Sequence, residues 1–266
     1  MPSNSANPSG YFEPINIVEL NNRLLSVLGS SWTDFRHVDL RMCDAAAGPI
    51  RKMLLAALEE EYDKSTMFVL KDPRICRLIP FWCELLKSFG AGTRPIITLR
   101  NPVDVAYSLK RRDGLSIGYS LNLWLRHVLD AEFETRHCKR VFVKYDDLID
   151  DWMKAINKIR TEIGIALLPV TPGMHAEVDG LVDRELRHYA VDDKSLVLEC
   201  RDNPLVLRAY RALEMLAERS DDADAIKALD DVRETFETAT MIFGSSFDFD
   251  HVLEPVGPYP AQSRGG

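Results

Sequence analysis

The sequence predicts an α/β fold, in which a parallel sheet is flanked by helices and followed by a helical C-terminal part. Two observations lead to this class. Three short apolar runs, bounded by polar residues, alternate with segments whose apolar residues recur at helical spacing. The connections between these segments are short, which is typical of parallel strands joined by helices that cover both faces of the sheet. The chain of 266 residues is long enough for one such domain with a helical extension.

The predicted elements follow from apolar spacing and from the residues at their boundaries. Strands are predicted at TMFVL (66–70), RPIITLR (94–100) and KRVFVK (139–144). Helices are predicted around them, over 13–29 with Gly29 as its C-cap, 48–65, 77–90, 102–114, 118–137 and from the third strand through residue 162. Beyond these, 167–180 is predicted as a loop, and two helices are predicted over 204–219 and 222–242. We therefore expect an α/β domain over 1–200 and a packed helical extension over 201–266 with a frayed Pro/Gly-rich tail.

The composition excludes several classes of protein. The formal net charge is -8, which argues against a general nucleic-acid binder, so any anion site must be a local basic cluster. No apolar run is long enough to span a bilayer, and the first residues lack the basic and apolar regions of a signal peptide. Five cysteines without a Cys-x-x-Cys pair favour a reducing compartment, hence a cytoplasmic protein whose cysteines are small core residues.

Cationic residues stand at the carboxyl ends of two predicted strands, where open parallel sheets bind their ligands. The first strand is followed by KDPR (71–74) and the second ends in RNP (100–102). A helix follows each end, and its N-terminal amides and dipole favour an anion. The alternatives are a solvated or salt-bridged strand end at Arg100, and a turn in which Asp72 neutralises Lys71 or Arg74. Two cationic ends on one edge of the sheet favour an anion site.

Several motifs, taken in order, resemble sulfotransferases that use 3′-phosphoadenosine-5′-phosphosulfate, especially bacterial members, which have a P-loop-like nucleotide fold. LRNPVDVAYSL (99–109) resembles their 3′-phosphate-binding segment, where a strand-terminal Arg and a Ser eight positions later hold the phosphate. FVLKDPR (68–74) resembles a Lys-Asp-Pro turn whose Lys contacts the transferring sulfonate. VFVKYDDLIDD (141–151) resembles the strand and turn that follow. NPSGYFEPINIVELNNRLL (7–25) resembles an early segment of the bacterial members, and LVDRELRHY (181–189) resembles a loop that closes over the nucleotide.

One feature of this family has no match in the sequence. Its members open with a strand, a Gly/Ser/Thr-rich phosphate loop and a helix, which grip the 5′-phosphosulfate through backbone amides. The chain has no G-x-x-x-x-G-K-[ST] motif, LGSSW (28–32) follows a predicted helix, and GAGT (90–93) precedes a strand. The 1–200 domain is therefore expected to be N-terminally incomplete. Either the natural chain continues upstream, or half of the donor site and a central strand are lost, which would expose the apolar faces of neighbouring strands.

The resemblance implies a role for each matching cationic or hydroxyl residue. Lys71 would neutralise the oxygens of the transferring sulfonate. Arg100 and Ser108 would anchor the 3′-phosphate, the Arg through two parallel hydrogen bonds. Arg184 and Arg187 would close over the nucleotide, or they belong to a solvated charged turn.

The acceptor side of the site is expected near the start of the chain. A general base should deprotonate the acceptor, and Glu13 is the first candidate, although the helix dipole alone also favours a Glu at a helix N-terminus. His188 is the second candidate, with a structural, hydrogen-bonded His as the alternative. Tyr11, Phe12 and Trp32 are candidates for lining the acceptor pocket, or they belong to the core.

The sequence thus predicts transfer of a sulfonate from 3′-phosphoadenosine-5′-phosphosulfate, as co-substrate, to a hydroxyl or amine of a small-molecule or carbohydrate acceptor. The alternative is a catalytically impaired remnant that binds adenosine-3′,5′-bisphosphate or a partner protein. A P-loop kinase would need a Walker lysine, which is absent. No metal is expected, because His127 and His137 have no ligand spacing with a carboxylate or thiol. No nucleic-acid partner is expected, and the oligomeric state is left open.

Overall fold

The computed structural model describes residues 12–40, 47–167, 169–182 and 192–243. Helices account for 67% of these residues, and a two-stranded parallel sheet lies among them. In this part of the chain the α/β class is therefore observed in a strongly helical form. None of the described helices is apolar over enough of its length to cross a membrane.

The elements follow one another along the described residues in the order α1 Ile15–Val27, α2 Gly48–Tyr62, a 3₁₀ helix Pro73–Arg77, α3 Ile79–Ser88, β1 Ile96–Leu99, α4 Pro102–Asp113, α5 Ile117–Glu134, β2 Val141–Lys144, α6 Tyr145–Asp150, α7 Trp152–Ile163, α8 Pro172–Leu181, α9 Asp193–Glu199, α10 Pro204–Glu218 and α11 Ala223–Phe243. The predicted helices are confirmed, and their ends differ from the observed ones by less than one turn, except that the helix predicted from the third strand through residue 162 is divided at Asp151 into α6 and α7. Two of the three predicted strands are also confirmed.

Local sequence determines where α4 begins and ends. Asn101 caps the helix, because its side-chain oxygen accepts a hydrogen bond from the backbone N–H of Val103 at 2.9 Å. Pro102 occupies the first turn, where its missing N–H has no helical partner to lose. Gly114 ends the helix with a φ of 73°, in the left-handed region that Gly adopts without strain. These signals place the start of α4 immediately after the strand end at Arg100.

The sheet consists of β1 and β2, which pair in parallel. Leu99 and Phe142 are buried in the larger core cluster, whereas Val141 and Val143 pack against α7 on the opposite face. The burial of β1 alternates, and Ile96 at its start is 40% exposed. Both faces of β2 are therefore covered, but β1 leaves one face open to solvent, which differs from the predicted sheet covered on both faces.

The predicted strand over 66–70 is wrong. The structure gives this segment no strand partner among the described residues, so the sheet has two strands there instead of three. Phe68 and Leu70 pack against the core cluster of α1, α2 and α3, while Met67 and Val69 are 52% and 78% exposed. The segment thus alternates as a strand does. A strand also needs a neighbouring backbone to pair with, and the apolar pattern does not reveal whether one is present.

The predicted loop over 167–180 is wrong for most of its length, because α8 occupies it. The Thr171 hydroxyl caps this helix and accepts a hydrogen bond from the backbone N–H of Met174 at 3.2 Å, and a Pro in the first turn adds a second start signal. The indole N–H of Trp152 donates to Asp179 at 2.8 Å and ties α8 to α7. Tertiary contact therefore supports a helix in a segment whose Pro and Gly content favoured a loop.

Two hydrophobic clusters form most of the core. The larger joins the sheet to α4, α5, α10 and α11, so the C-terminal helices pack into the same core as the strands. The smaller joins α1, α2 and α3. Arg77, which is 3% exposed, donates to Asp130 of α5 at 2.9 Å and to the backbone oxygen of Arg36 at 2.5 Å. Because a buried guanidinium needs such partners, this contact fixes the 3₁₀ helix, and the turn before it, relative to α5.

Candidate anion-binding site

Arg100 stands at the carboxyl end of β1, beside Tyr145, which directly follows β2. The strand register explains this position, because Leu99 pairs with Lys144 and the next residues of both strands emerge side by side. The guanidinium carbon of Arg100 lies 4.6 Å from the centroid of the Tyr145 ring, a cation–π contact that orients the Arg side chain. Tyr145 is not among the residues predicted from the sequence, because only the structure reveals the register that places it here.

One nitrogen of Arg100 lacks a partner. Its Nε is buried and forms no hydrogen bond with any described residue. Leaving a buried donor of a charged group without an acceptor is costly, and a ligand that supplies oxygens removes this cost. The alternative of a salt-bridged strand end is not observed among the described residues, since none of their carboxylates pairs with Arg100. Arg100 is therefore a candidate for contact with an external anion.

Helix α4 brings its positive end to the same edge and carries the Ser108 hydroxyl further along its length. The helix has 12 residues and begins two positions after Arg100, so its positive end lies beside the guanidinium. Ser108 is half-buried on this helix, and its hydroxyl forms no hydrogen bond with other described residues. It lies about 9 Å along the axis from the helix start. Asp104 already complements the dipole in the first turn, so most of an anion's charge must be met by Arg100.

The two residues assigned to the chemical step form an ion pair. The ammonium group of Lys71 donates a hydrogen bond to Oε1 of Glu13. The Glu13 side chain is 4% exposed, whereas the Lys71 side chain is 51% exposed. A carboxylate this deeply buried needs polar partners, because an unpaired charge in the interior is costly, and the Lys71 ammonium is one of them. Glu13 precedes α1 by two positions, so its position near the helix N-terminus and its pairing with Lys71 both contribute to its placement.

Asp72 holds the turn after Lys71 and is paired elsewhere. Its carboxylate accepts hydrogen bonds from the Asn21 amide at 2.8 Å, from the backbone N–H of Arg74 at 3.0 Å and from the Arg74 guanidinium at 2.9 Å. Of the two sequence alternatives for this turn, neutralisation of Arg74 is the one observed. Asp72 therefore has a structural role, and Lys71 keeps Glu13 as its carboxylate partner.

A cavity of about 270 Å³ lies against Glu13. Its walls come from α1 and α2, and Glu60 and Glu61 of α2 lie in the lining together with Glu13. Three carboxylates around one small cavity create a negative potential, which favours a neutral or cationic guest over an anion. The cavity has room for a small polar group beside the Glu13 carboxylate.

Four of the predicted site residues are not described by the structure. Tyr11, Arg184, Arg187 and His188 lie outside the described residues, so their predicted roles stay predictions. No hydrogen bond or ion pair between described residues joins the Lys71–Glu13 pair to Arg100. The structure therefore brings Lys71 into contact with Glu13, whereas Arg100 and Ser108 lie on one strand–helix unit without a contact between them.

The two described aromatic candidates have different surroundings. Phe12 is 71% exposed and has a φ of 52°, in the left-handed region that a bulky residue adopts only under strain. Trp32 is half-buried against the smaller core cluster, and the guanidinium carbon of Arg112 lies 5.8 Å from its ring centroid. Neither residue lines the cavity beside Glu13. Trp32 thus contributes to packing, whereas Phe12 adjoins Glu13 only along the chain.

No Gly/Ser/Thr-rich loop connects a strand to a helix within the described ranges. The segment 28–32 follows α1, and the segment 90–93 lies between α3 and β1. The backbone cradle that the family resemblance implies for the 5′-phosphosulfate is therefore absent from the described residues.

Comparisons of the chain with protein-family models, with curated proteins and with solved structures find no significant match.

Proposed function

We propose that this protein binds 3′-phosphoadenosine-5′-phosphosulfate at the carboxyl edge of the sheet and transfers its sulfonate to a hydroxyl or amine acceptor. One observation carries the proposal, namely the Arg100 guanidinium held over the Tyr145 ring with a buried Nε that lacks an acceptor. A phosphate offers oxygens in the geometry that a guanidinium binds best, and such charge-assisted hydrogen bonds are stronger than neutral ones. Ser108 and the positive end of α4 lie on the same strand–helix unit and supplement this contact.

The chemical step uses the Lys71–Glu13 pair. The acceptor oxygen or nitrogen attacks the sulfur, and a new bond to sulfur forms as the bond between sulfur and the bridging oxygen breaks. The electron pair stays on the bridging oxygen, so adenosine-3′,5′-bisphosphate leaves. Lys71 neutralises the negative charge on the sulfonate and bridging oxygens, and Glu13 accepts the proton that the acceptor loses.

This step requires Lys71 to turn from Glu13 toward the donor. The Lys71 side chain is half exposed on a flexible stem, so it reaches a new partner without disturbing the core. Its departure frees the carboxylate oxygen of Glu13 that had accepted from Lys71, and this oxygen can then accept the proton of the acceptor. The negative cavity beside Glu13 then favours neutral or cationic acceptors, such as a carbohydrate hydroxyl or an amine, over anionic ones.

A second function, binding without transfer, is favoured by the absence of a strand–loop–helix phosphate cradle from the described residues. In that case the protein would hold adenosine-3′,5′-bisphosphate, or a partner protein, through the same edge. Both functions fit a cytoplasmic location, because the described cysteines Cys76, Cys83, Cys138 and Cys200 are free thiols.

Calorimetry with two nucleotides tests the proposed site. Adenosine-3′,5′-bisphosphate should bind more tightly than adenosine-5′-monophosphate, which lacks the 3′-phosphate and is otherwise matched. The difference should shrink as salt is added, since a charge-based contact is screened. Equal affinity for both nucleotides, or no binding of either, would contradict the assignment of Arg100 to a 3′-phosphate.

A further inference from the structure

Two thiols and an imidazole meet at the edge of the sheet opposite to the anion site. Cys83 lies on α3, whereas His137 and Cys138 lie in the turn between α5 and β2. One potential ligand atom from each residue lies within 4.8 Å of the other two. The cluster joins two segments that are distant in sequence, so no spacing along the chain indicates it.

We propose that Cys83, His137 and Cys138 form a binding site for one zinc ion. In a tetrahedral zinc site, Zn–S bonds of about 2.3 Å and Zn–N bonds of about 2.0–2.1 Å place the ligand atoms about 3.5–3.8 Å apart. Separations of at most 4.8 Å need to close by roughly 1.3 Å or less, which small side-chain rotations can accomplish. Two thiolates and one imidazole form a donor set that binds zinc in preference to harder cations such as magnesium.

The turn that carries two of the ligands is already rigid. The backbone N–H of Cys138 donates to the backbone oxygen of Thr135 at 2.9 Å. Arg140, which is 8% exposed, donates to the Thr135 hydroxyl at 3.1 Å and to the Glu132 carboxylate at 2.9 Å. Because these contacts hold the turn before any ion binds, less conformational freedom is lost on binding, which favours affinity.

The cluster lies well away from the candidate anion site. Cys138 lies just before the amino end of β2, and each strand has four residues, so about 13 Å of strand separates the cluster from the carboxyl edge. His137 is exposed, so water can fill the fourth coordination position. The ion would tie α3 to the turn after α5. The proposed site differs from the prediction that the protein binds no metal. That prediction was based on the spacing of possible ligands along the chain.

Zinc binding at this cluster must release protons. A thiol with the ordinary pKa of about 8.5 carries its proton at neutral pH before an ion arrives. A metal-bound sulfur is a thiolate, and each thiol that binds therefore gives a proton to the buffer.

The test uses the whole chain, kept reduced by a phosphine and stripped of metal by a chelator. Cobalt(II) serves as the spectroscopic probe, and zinc is added as its competitor. We expect one cobalt per chain, a thiolate-to-cobalt charge-transfer band that zinc abolishes, proton release measured in buffers of different ionisation enthalpy, and a higher unfolding temperature with zinc.

Variants decide whether these residues hold the ion. Cys83→Ser, His137→Ala and Cys138→Ser should each weaken zinc binding by more than about 10- to 100-fold, the range for merely supporting groups around a metal. Each serine variant should also weaken the charge-transfer band. Cys200→Ala is the matched control, since Cys200 is a free thiol buried in the larger core cluster, and it should bind zinc as the wild type does. Absence of stoichiometric binding, or unchanged affinity in the three variants, would overturn the proposal.

Discussion

Lys71 and Asp72 are adjacent, yet the structure gives them different roles that substitution by Ala can separate. Removing the Lys71 ammonium deletes the charge proposed to stabilise the transferring sulfonate, and loss of one such contact typically costs about 100- to 1000-fold in rate. The cost in stability is smaller, about 1 kcal/mol or less, because solvent at the half-exposed Lys71 screens its attraction for Glu13. Removing Asp72 instead strips Asn21 and Arg74 of a buried acceptor and should cost about 3–5 kcal/mol in unfolding free energy.

Two measurements distinguish these outcomes. Turnover is measured with labelled phosphosulfate donor at saturation against a panel of neutral and amine acceptors, and stability is measured by urea unfolding. We expect Lys71→Ala to lower turnover far more than nucleotide affinity, which is the signature of an interaction made mainly in the transition state. A Lys71→Ala protein within a few-fold of wild-type turnover would remove Lys71 from the mechanism. If the wild type transfers sulfonate to none of the acceptors, the transfer proposal is refuted, and only the proposed nucleotide binding remains.

Two further predictions concern stability. Burial, together with the nearby positive Arg77, lowers the pKa of His127 to about 4, below its ordinary value of about 6.5. As the pH falls, the unfolded chain binds a proton at His127 near pH 6.5, whereas the folded protein binds it only near pH 4. About 3 kcal/mol of unfolding free energy is therefore lost as the pH falls from 6.5 to 4. His127→Gln should lack this part of the pH dependence in urea unfolding. Gly114→Ala should lower the unfolding free energy by about 1–2 kcal/mol, since only the backbone φ of 73° opposes a side chain there. Gly118→Ala, inside α5 with equally open surroundings, should instead raise it by about 0.4–1 kcal/mol, and the same sign for both Gly variants would contradict the backbone argument.

The sequence predicts helices well here because a helix satisfies its own backbone hydrogen bonds. The apolar spacing of α1, α4 or α10 therefore suffices to locate each helix to within a turn. A strand depends on a partner that its own residues do not encode. Residues 66–70 and Ile96–Leu99 have similar apolar character, yet only the second segment pairs with a strand in the described structure.

The same distinction applies to the candidate sites. Arg100 and Lys71 could be selected as candidates from the sequence, because ligands bind at the ends of strands in this class of fold. Tyr145 and the Cys83–His137–Cys138 cluster were not, since strand register and helix packing bring these residues together across long stretches of chain. Lys71 and Glu13 were predicted to serve the same reaction, but their ion pair was not predicted from the sequence. The fold brings the two side chains into contact.

The central claim is that Arg100 binds the 3′-phosphate of an adenosine nucleotide, and calorimetry with adenosine-3′,5′-bisphosphate tests it most directly. Arg100→Ala should weaken binding by about 10- to 150-fold, the equivalent of about 1.5–3 kcal/mol for hydrogen bonds to a charged group. Arg94→Ala removes the same charge from an exposed residue before the amino end of the same strand, where the guanidinium donates to the backbone oxygen of Thr93, and it should bind as the wild type does. Equal affinity of the wild type and Arg100→Ala, or an equal loss in both variants, would contradict the account.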